Sequence, residues 1–263
     1  MERTCGFRRR ALGGCGILLA LLLGSSDPAA APGETLVSAA VSLRPALTEA
    51  AATYRAEHGG PEIRINTGAS GLLLQQIRRG APVDLFVSAS SREIDALEVD
   101  GRVRPGSRVA VASNRLVVLV PAGERAPEEL AALADPGFGR VAIGNPKTAP
   151  VGRYAERALR ELGLWDALEP RLVFAENARQ TLEYVARGEV SAGVLYRSDA
   201  RIAAGRVELG PEIPAAAHPA IRYEAAVIDD APHPDAALAF LHWLVSDAGR
   251  KILARHGFLP PHR

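Results

Sequence analysis

Apolar residues in this chain fall into short runs separated by amphipathic stretches, and the two kinds of segment alternate. Thr35–Ala40 reads as a short buried strand, and Arg44–His58 as an amphipathic helix ending at Gly59-Gly60. Glu62–Asn66 alternates apolar and polar residues, as a half-buried strand does. Ser70–Arg79 is helical and stops at Gly80, and Asp84–Ser88 is a third strand. Such a β-α-β-α-β order implies a mainly parallel sheet with right-handed crossovers. A helix from about Ser91 follows, then the long apolar strand Arg115–Val120. A second set of strands comprises Val141–Gly144, Arg171–Phe174 and Ala192–Tyr196. Helices Gly152–Leu162, Ala178–Arg187 and about Ser198–Ala204 accompany them. The last strand, Tyr223–Ile228, precedes a helix from about Asp235 to His256.

Two α/β sets of similar size predict two lobes, with the strands near Leu116 and Tyr223 passing between them. The expected division is residues 35–114 for the first part of lobe 1, 115–221 for lobe 2, and 222–263 for the return to lobe 1. Ligands of open α/β sheets bind at the C-terminal ends of the strands, so a cleft between the lobes is the expected site.

The first 31 residues read as an export signal. Arg8-Arg9-Arg10 forms a basic start, Ile17–Leu23 the apolar core, and Ala29-Ala30-Ala31 a small-residue cleavage site. Cys15 precedes the apolar core rather than following it, which argues against lipid attachment. Both cysteines of the chain, Cys5 and Cys15, lie in this leader, so the mature protein is expected to carry no disulfide or thiolate metal site. Cleavage would leave 27 basic residues against 28 acidic ones. A near-neutral chain without a basic block speaks against nucleic acid as a partner.

Candidate chemistry concentrates where strands run into helices. Ala39-Ala40-Val41-Ser42, Thr67-Gly68-Ala69-Ser70, Pro150-Val151-Gly152 and Glu176-Asn177-Ala178 each place small or hydroxyl-bearing residues at a helix start. Unpaired N–H groups and the positive end of the helix dipole make each of these an anion site in waiting. Taken singly, Ser42 and Ser70 also read as ordinary capping serines. Asn177 reads as an Asn cap, Arg153 as a solvated first-turn side chain, and strand-end Tyr196 as packing. Asp84 reads as a loop-organising carboxylate.

Their joint order is more specific. The chain carries A-A-x-S-L (Ala39–Leu43), G-A-P-x-D-L-F-x-S-A (Gly80–Ala89) and G-x-P-x-x-x-P-x-G-x-Y-A (Gly144–Ala155). A-E-x-x-R (Ala175–Arg179), G-x-x-Y-x-S-D-A (Gly193–Ala200) and a closing Gly257-Phe258 follow in turn. In these motifs the sequence resembles the periplasmic molybdate-binding proteins of ABC transporters over nearly all of its mature length. The resemblance implies the type II periplasmic-binding-protein fold, two α/β lobes closing on a tetrahedral dianion. It also implies that Ser42, Ser70, Val151, Ala178 and Tyr196 hold the anion, through hydroxyls and backbone N–H groups. Alanine is commoner in that family at the Val151 position and valine at the Ala178 position, but both act through the backbone. The implied protein is a monomeric, periplasmic, non-enzymatic carrier with no cofactor. It would bind molybdate or tungstate and deliver it to an ABC transporter membrane permease.

Other readings fare worse on the residues. A secreted hydrolase would pair Ser42 or Ser70 with a histidine and Asp84, but no G-x-S-x-G elbow occurs and the six histidines are scattered. No histidine pair has the spacing of a metal site. Ferric-anion binding would want adjacent tyrosines, which the five in this chain do not provide. Sulfate on the same fold is the nearest alternative ligand.

Overall fold

The computed structural model describes residues 33–261, so the expected leader lies outside the described residues. β1 (Glu34–Ala40) ends in four consecutive buried residues and pairs in parallel with β2 (Glu62–Gly68) and β3 (Leu85–Ser88). Helices α1 (Arg44–His58) and α2 (Ser70–Arg78) supply the crossovers between these strands. α3 (Ser91–Val99) and β4 (Val109–Ser113) follow, and the chain then leaves this sheet at Asn114-Arg115.

The second sheet begins with β5 (Leu116–Pro121), buried along almost its whole length, and continues with β6 (Val141–Gly144). Next come α4 (Pro150–Glu161), α5 (Trp165–Leu168), β7 (Leu172–Ala175) and α6 (Ala178–Ala186). β8 (Ala192–Tyr196), α7 (Arg197–Ile202) and β9 (Val207–Glu212) complete it. The chain returns through β10 (Arg222–Val227), which inserts antiparallel between β3 and β4. α8 (Pro234–Leu244) and α9 (Asp247–Arg255) then pack against α1.

The described residues thus form two five-stranded sheets, ordered β2-β1-β3-β10-β4 and β7-β6-β8-β5-β9. Both are parallel except where the strands next to the crossings enter. β5 runs antiparallel to β8 and β9, and β10 antiparallel to its neighbours. Two α/β lobes linked by two crossings are the type II periplasmic-binding-protein architecture that the resemblance implies. Because β1, β2 and β3 run parallel, as do β6, β7 and β8, the C-terminal ends of these strands share one edge of each sheet.

The elements differ from expectation in three places. β4 and β9 have no clear signal, since β4 is a short run of small residues and β9 is a largely exposed edge strand containing Pro211. The expected helix Asp235–His256 is two helices. The break falls at Val245-Ser246, where the Ser246 hydroxyl donates to the Trp243 carbonyl at 2.6 Å. Gly249 there lies against the Leu244 backbone so closely that no Cβ would fit.

Asp84 is fully buried and is structural, as its place in the strand motif suggests. Its carboxylate accepts the Leu36 N–H at 2.7 Å and the His233 N–H at 2.6 Å, fastening β1 and the start of α8 to β3. Among the described residues no helix is long and apolar enough to cross a membrane.

Candidate functional site

The strand ends of both sheets converge on one small crevice between the lobes. Ser42 sits in a 3-10 turn (Val41–Leu43) joining β1 to α1, and Ser70 is the first residue of α2, immediately after β2 and Ala69. From the other lobe come Val151, second residue of α4, Ala178, first residue of α6, and Tyr196, last residue of β8. All five line the same small crevice. Eight further residues complete the lining: Ala40, Val41, Gly68, Ala69, Ala89, Ala149, Pro150 and Asn177. No Lys, Arg, His, Asp or Glu is among them.

The local sequence explains why donors face inward. Pro150 stands at the first position of α4, where a missing N–H costs nothing, so the Val151 N–H is the first donor of that helix. Helix bonding begins further along, with Leu72 N–H to Ala69 O, Gly152 N–H to Ala149 O and Thr181 N–H to Asn177 O. The Ser70, Val151 and Ala178 N–H groups therefore stand at the open ends of their helices. Gly152 is needed for this geometry, because α4 starts so close to the Gly144 carbonyl that a Cβ would overlap it.

Neither serine caps its helix, contrary to the simple reading of each. The Ser70 Oγ instead accepts the Ala89 N–H at 3.1 Å, leaving its proton to donate. The Ser42 Oγ lies 3.1 Å from the Tyr223 Oη. Asn177 does cap α6, accepting the Gln180 N–H at 3.1 Å. Tyr196 is buried, and its Oη has no hydrogen-bond partner among the described residues. Burial also pushes the Tyr196 phenol well up, so it keeps its proton and faces the crevice as a donor. A buried O–H without a partner costs about 1–3 kcal/mol, which an acceptor placed in the crevice would recover.

Behind Tyr196, Asp199 accepts the Tyr196 N–H at 3.1 Å and opens α7. Burial pushes this carboxyl up to about 7, against the lowering effects of the Tyr196 N–H and of Arg179.

Arg153 is not the solvated side chain its position suggests, and it does not line the crevice. It forms an ion pair with Glu93 of α3 in the opposite lobe, and both side chains are largely buried. The Ser88 hydroxyl donates to the second Glu93 oxygen at 3.2 Å. A second bond crosses the lobes nearby, from the Gly71 N–H to the Thr148 carbonyl at 3.0 Å. A Cβ at Gly71 would stand 2.5 Å from that oxygen, so only glycine permits this approach. Sequence reasoning missed Glu93, Thr148, Asn114 and Tyr223. Glu93 lies in the first turn of α3 and the others outside any helix, and only the fold brings the four to the cleft.

Two lobes with a small crevice between their sheets, lined by no charged side chain, are the architecture of a solute-binding protein. The comparisons with known proteins agree. Residues 35–259 match the family model of bacterial extracellular solute-binding proteins, and the chain belongs to that family. It is 32% identical over 246 residues to the molybdate-binding protein ModA of Haemophilus influenzae, covering 90% of this chain and 94% of that protein. It is likewise 32% identical over 233 residues to ModA of Escherichia coli, covering 86% and 89%. The solved periplasmic molybdate-binding protein of Azotobacter vinelandii superposes with a TM-score of 0.78 at 27% identity, covering 87% of this chain and all of that one.

Two predictions follow from the local chemistry. Asp199 holds its proton more tightly in the folded state (about 7, against an ordinary value of 3.8). Its contribution to stability is therefore complete below about pH 4 and lost as the pH rises through 7. Asp199→Asn, which mimics the protonated form, should raise the melting temperature at pH 8 and change it little at pH 4. An unchanged or lower value at pH 8 would contradict the assignment. Gly71→Ala should obstruct lobe closure and weaken anion binding at least tenfold while leaving the unliganded melting temperature nearly unchanged, as titration calorimetry and thermal scans would register.

Proposed function

We propose that this protein captures molybdate, and the nearly equal-sized tungstate, in the crevice between its lobes and delivers it to the membrane permease of an ABC importer. The observation that carries this reading is the crevice itself. Ser42, Ser70, Val151, Ala178 and Tyr196, from both lobes, line it together, with no charged side chain in the lining, and this supports reading their hydroxyls and backbone N–H groups as donors to one ligand. The lobes are taken as residues 35–114 with 222–263, and 115–221. The site lies wholly within one chain, in keeping with a monomeric carrier, and the leader would place it in the periplasm.

A donor-only site selects by protonation state. A fully ionised tetrahedral dianion accepts every hydrogen bond, whereas hydrogen phosphate must also donate one and finds no carboxylate in the lining to take it, at a cost of about 1–3 kcal/mol where that proton stays unpaired. Sulfate carries the right charge, but its shorter bonds to oxygen leave hydrogen bonds stretched in a cavity sized for molybdate. Binding rather than catalysis is the role that suits the two serines. Ser42 is bonded to a tyrosine and Ser70 to a backbone N–H, so neither bond supplies the histidine base that nucleophilic attack requires. Lobe closure around the ion, fastened by the Glu93–Arg153 and Gly71–Thr148 contacts, would create the surface that a permease reads.

Molybdate at about a thousand times its Kd should stabilise the protein by roughly 4 kcal/mol, on the order of 8–16 °C for a chain of this size. Ser42→Ala and Tyr196→Phe each remove one bond to a charged ligand, worth about 1.5–3 kcal/mol. Each should therefore weaken molybdate binding by about 10–150-fold; Tyr196→Phe removes an unpartnered hydroxyl and should not lower the unliganded melting temperature, whereas Ser42→Ala unpairs the buried Tyr223 hydroxyl and should lower it slightly. Tight phosphate binding, sulfate matching molybdate, or unchanged affinity in both variants would refute the assignment.

A further inference from the structure

We infer that Tyr223 and Asn114, neither of which lines the crevice, fix the direction of the Ser42 hydroxyl so that its proton points to the ligand, making Tyr223 a specificity-determining positioning residue. This rests on the oxyanion reading above and names the groups that enforce its selectivity.

The argument is one of hydrogen-bond direction. Asn114 stands where the chain crosses from β4 to β5. Its side-chain oxygen accepts the Arg115 N–H at 2.9 Å, which fixes the orientation of the amide. The amide nitrogen, a donor only, therefore faces the Ser198 Oγ at 2.9 Å and the Tyr223 Oη at 3.5 Å. Tyr223, on β10 and fully buried, receives that donation at its oxygen and has one proton of its own to place. The remaining hydroxyl within reach is the Ser42 Oγ at 3.1 Å. Either oxygen of that pair could donate in isolation, but the Asn114 amide decides the direction. Tyr223 donates to Ser42, and the Ser42 proton is turned into the crevice.

The phenol cannot reverse this by ionising. Burial pushes Tyr223 well above the ordinary tyrosine range, so it carries its proton throughout the working pH. The relay Asn114→Tyr223→Ser42 thus delivers a polarised donor to the anion. It also occupies one of the two lone pairs with which Ser42 would otherwise welcome the proton of hydrogen phosphate. Backbone N–H groups can only donate, so the hydroxyls of Ser42, Ser70 and Tyr196 are the site groups able to accept as well. The Ser70 oxygen is occupied by the Ala89 N–H. Tyr223 restricts Ser42 in the same way.

The test is calorimetric titration of wild type, Tyr223→Phe and Asn114→Ala at pH 7.5 with molybdate and, separately, with inorganic phosphate. In Tyr223→Phe the Ser42 rotor is released. Molybdate affinity should fall about tenfold, and the molybdate-to-phosphate preference should fall by more than that, because phosphate gains an acceptor. Asn114→Ala should move the preference the same way by a smaller factor. Thermal scans of the unliganded variants report whether the lobes stay intact. A preference ratio unchanged in Tyr223→Phe, even with weaker binding overall, would mean that Tyr223 merely packs, and would overturn the inference while leaving the function standing. Absence of molybdate binding in the wild type would overturn both.

Discussion

The structure depends on donors that converge without a charge to accompany them. Bringing a lysine or arginine into the crevice would attract any anion regardless of its protonation state. Neutral N–H and O–H groups instead reward an oxygen only where it can accept, and they penalise a ligand proton with nowhere to go. Such a site demands that several helix starts meet at one point, and a single α/β lobe has only one edge of strand ends to offer. Two lobes facing each other double that supply. β1 and β2 deliver Ser42 and Ser70 from one side, while β6, β7 and β8 deliver Val151, Ala178 and Tyr196 from the other.

The same arrangement separates attraction from closure. Arg153, two residues after Val151, is bound to Glu93 across the lobes and does not line the crevice. Its charge is thereby removed from ligand selection and used to hold the lobes together. A buried ion pair of this kind contributes little net stability, yet losing one partner strands the other, so its main effect is on which lobe arrangement is favoured. The Gly71–Thr148 bond acts alongside it and depends on the absence of a side chain at Gly71. The crossing at Asn114 links this movement to the site, since the same amide that bonds Ser198 of the second lobe also directs Tyr223 towards Ser42.

Much of this was legible in the sequence because it is local. Alternation at Glu62–Asn66, the glycine stop after Arg79 and the proline opening α4 are short-range signals, and they place the strand ends and helix starts correctly. The ordered motifs then identify which of those junctions matter, and Ser42, Ser70, Val151, Ala178 and Tyr196 do share one crevice. What could not be read is non-local. Tyr223 lies 181 residues from Ser42, and Arg153 lies 60 from Glu93. No periodicity announces either pairing, which exists only because β10 inserts into the first sheet and α4 faces α3. The edge strand β9 and the broken helix at Ser246 were missed for a different reason. An exposed edge carries no hydrophobic alternation, and a helix can be cut by one backbone approach, as at Gly249, without any change in amphipathic pattern.

The central claim is that a dianion is held here by neutral donors alone. Crystals grown with tungstate, with the metal located by its anomalous scattering, test it most directly. The account predicts one tungstate between the lobes, its oxygens within hydrogen-bonding distance of the Ser42, Ser70 and Tyr196 hydroxyls and the Val151 and Ala178 N–H groups, with no lysine or arginine in contact. An anion bound elsewhere on the protein, or one held in the crevice by Arg153 released from Glu93, would contradict it.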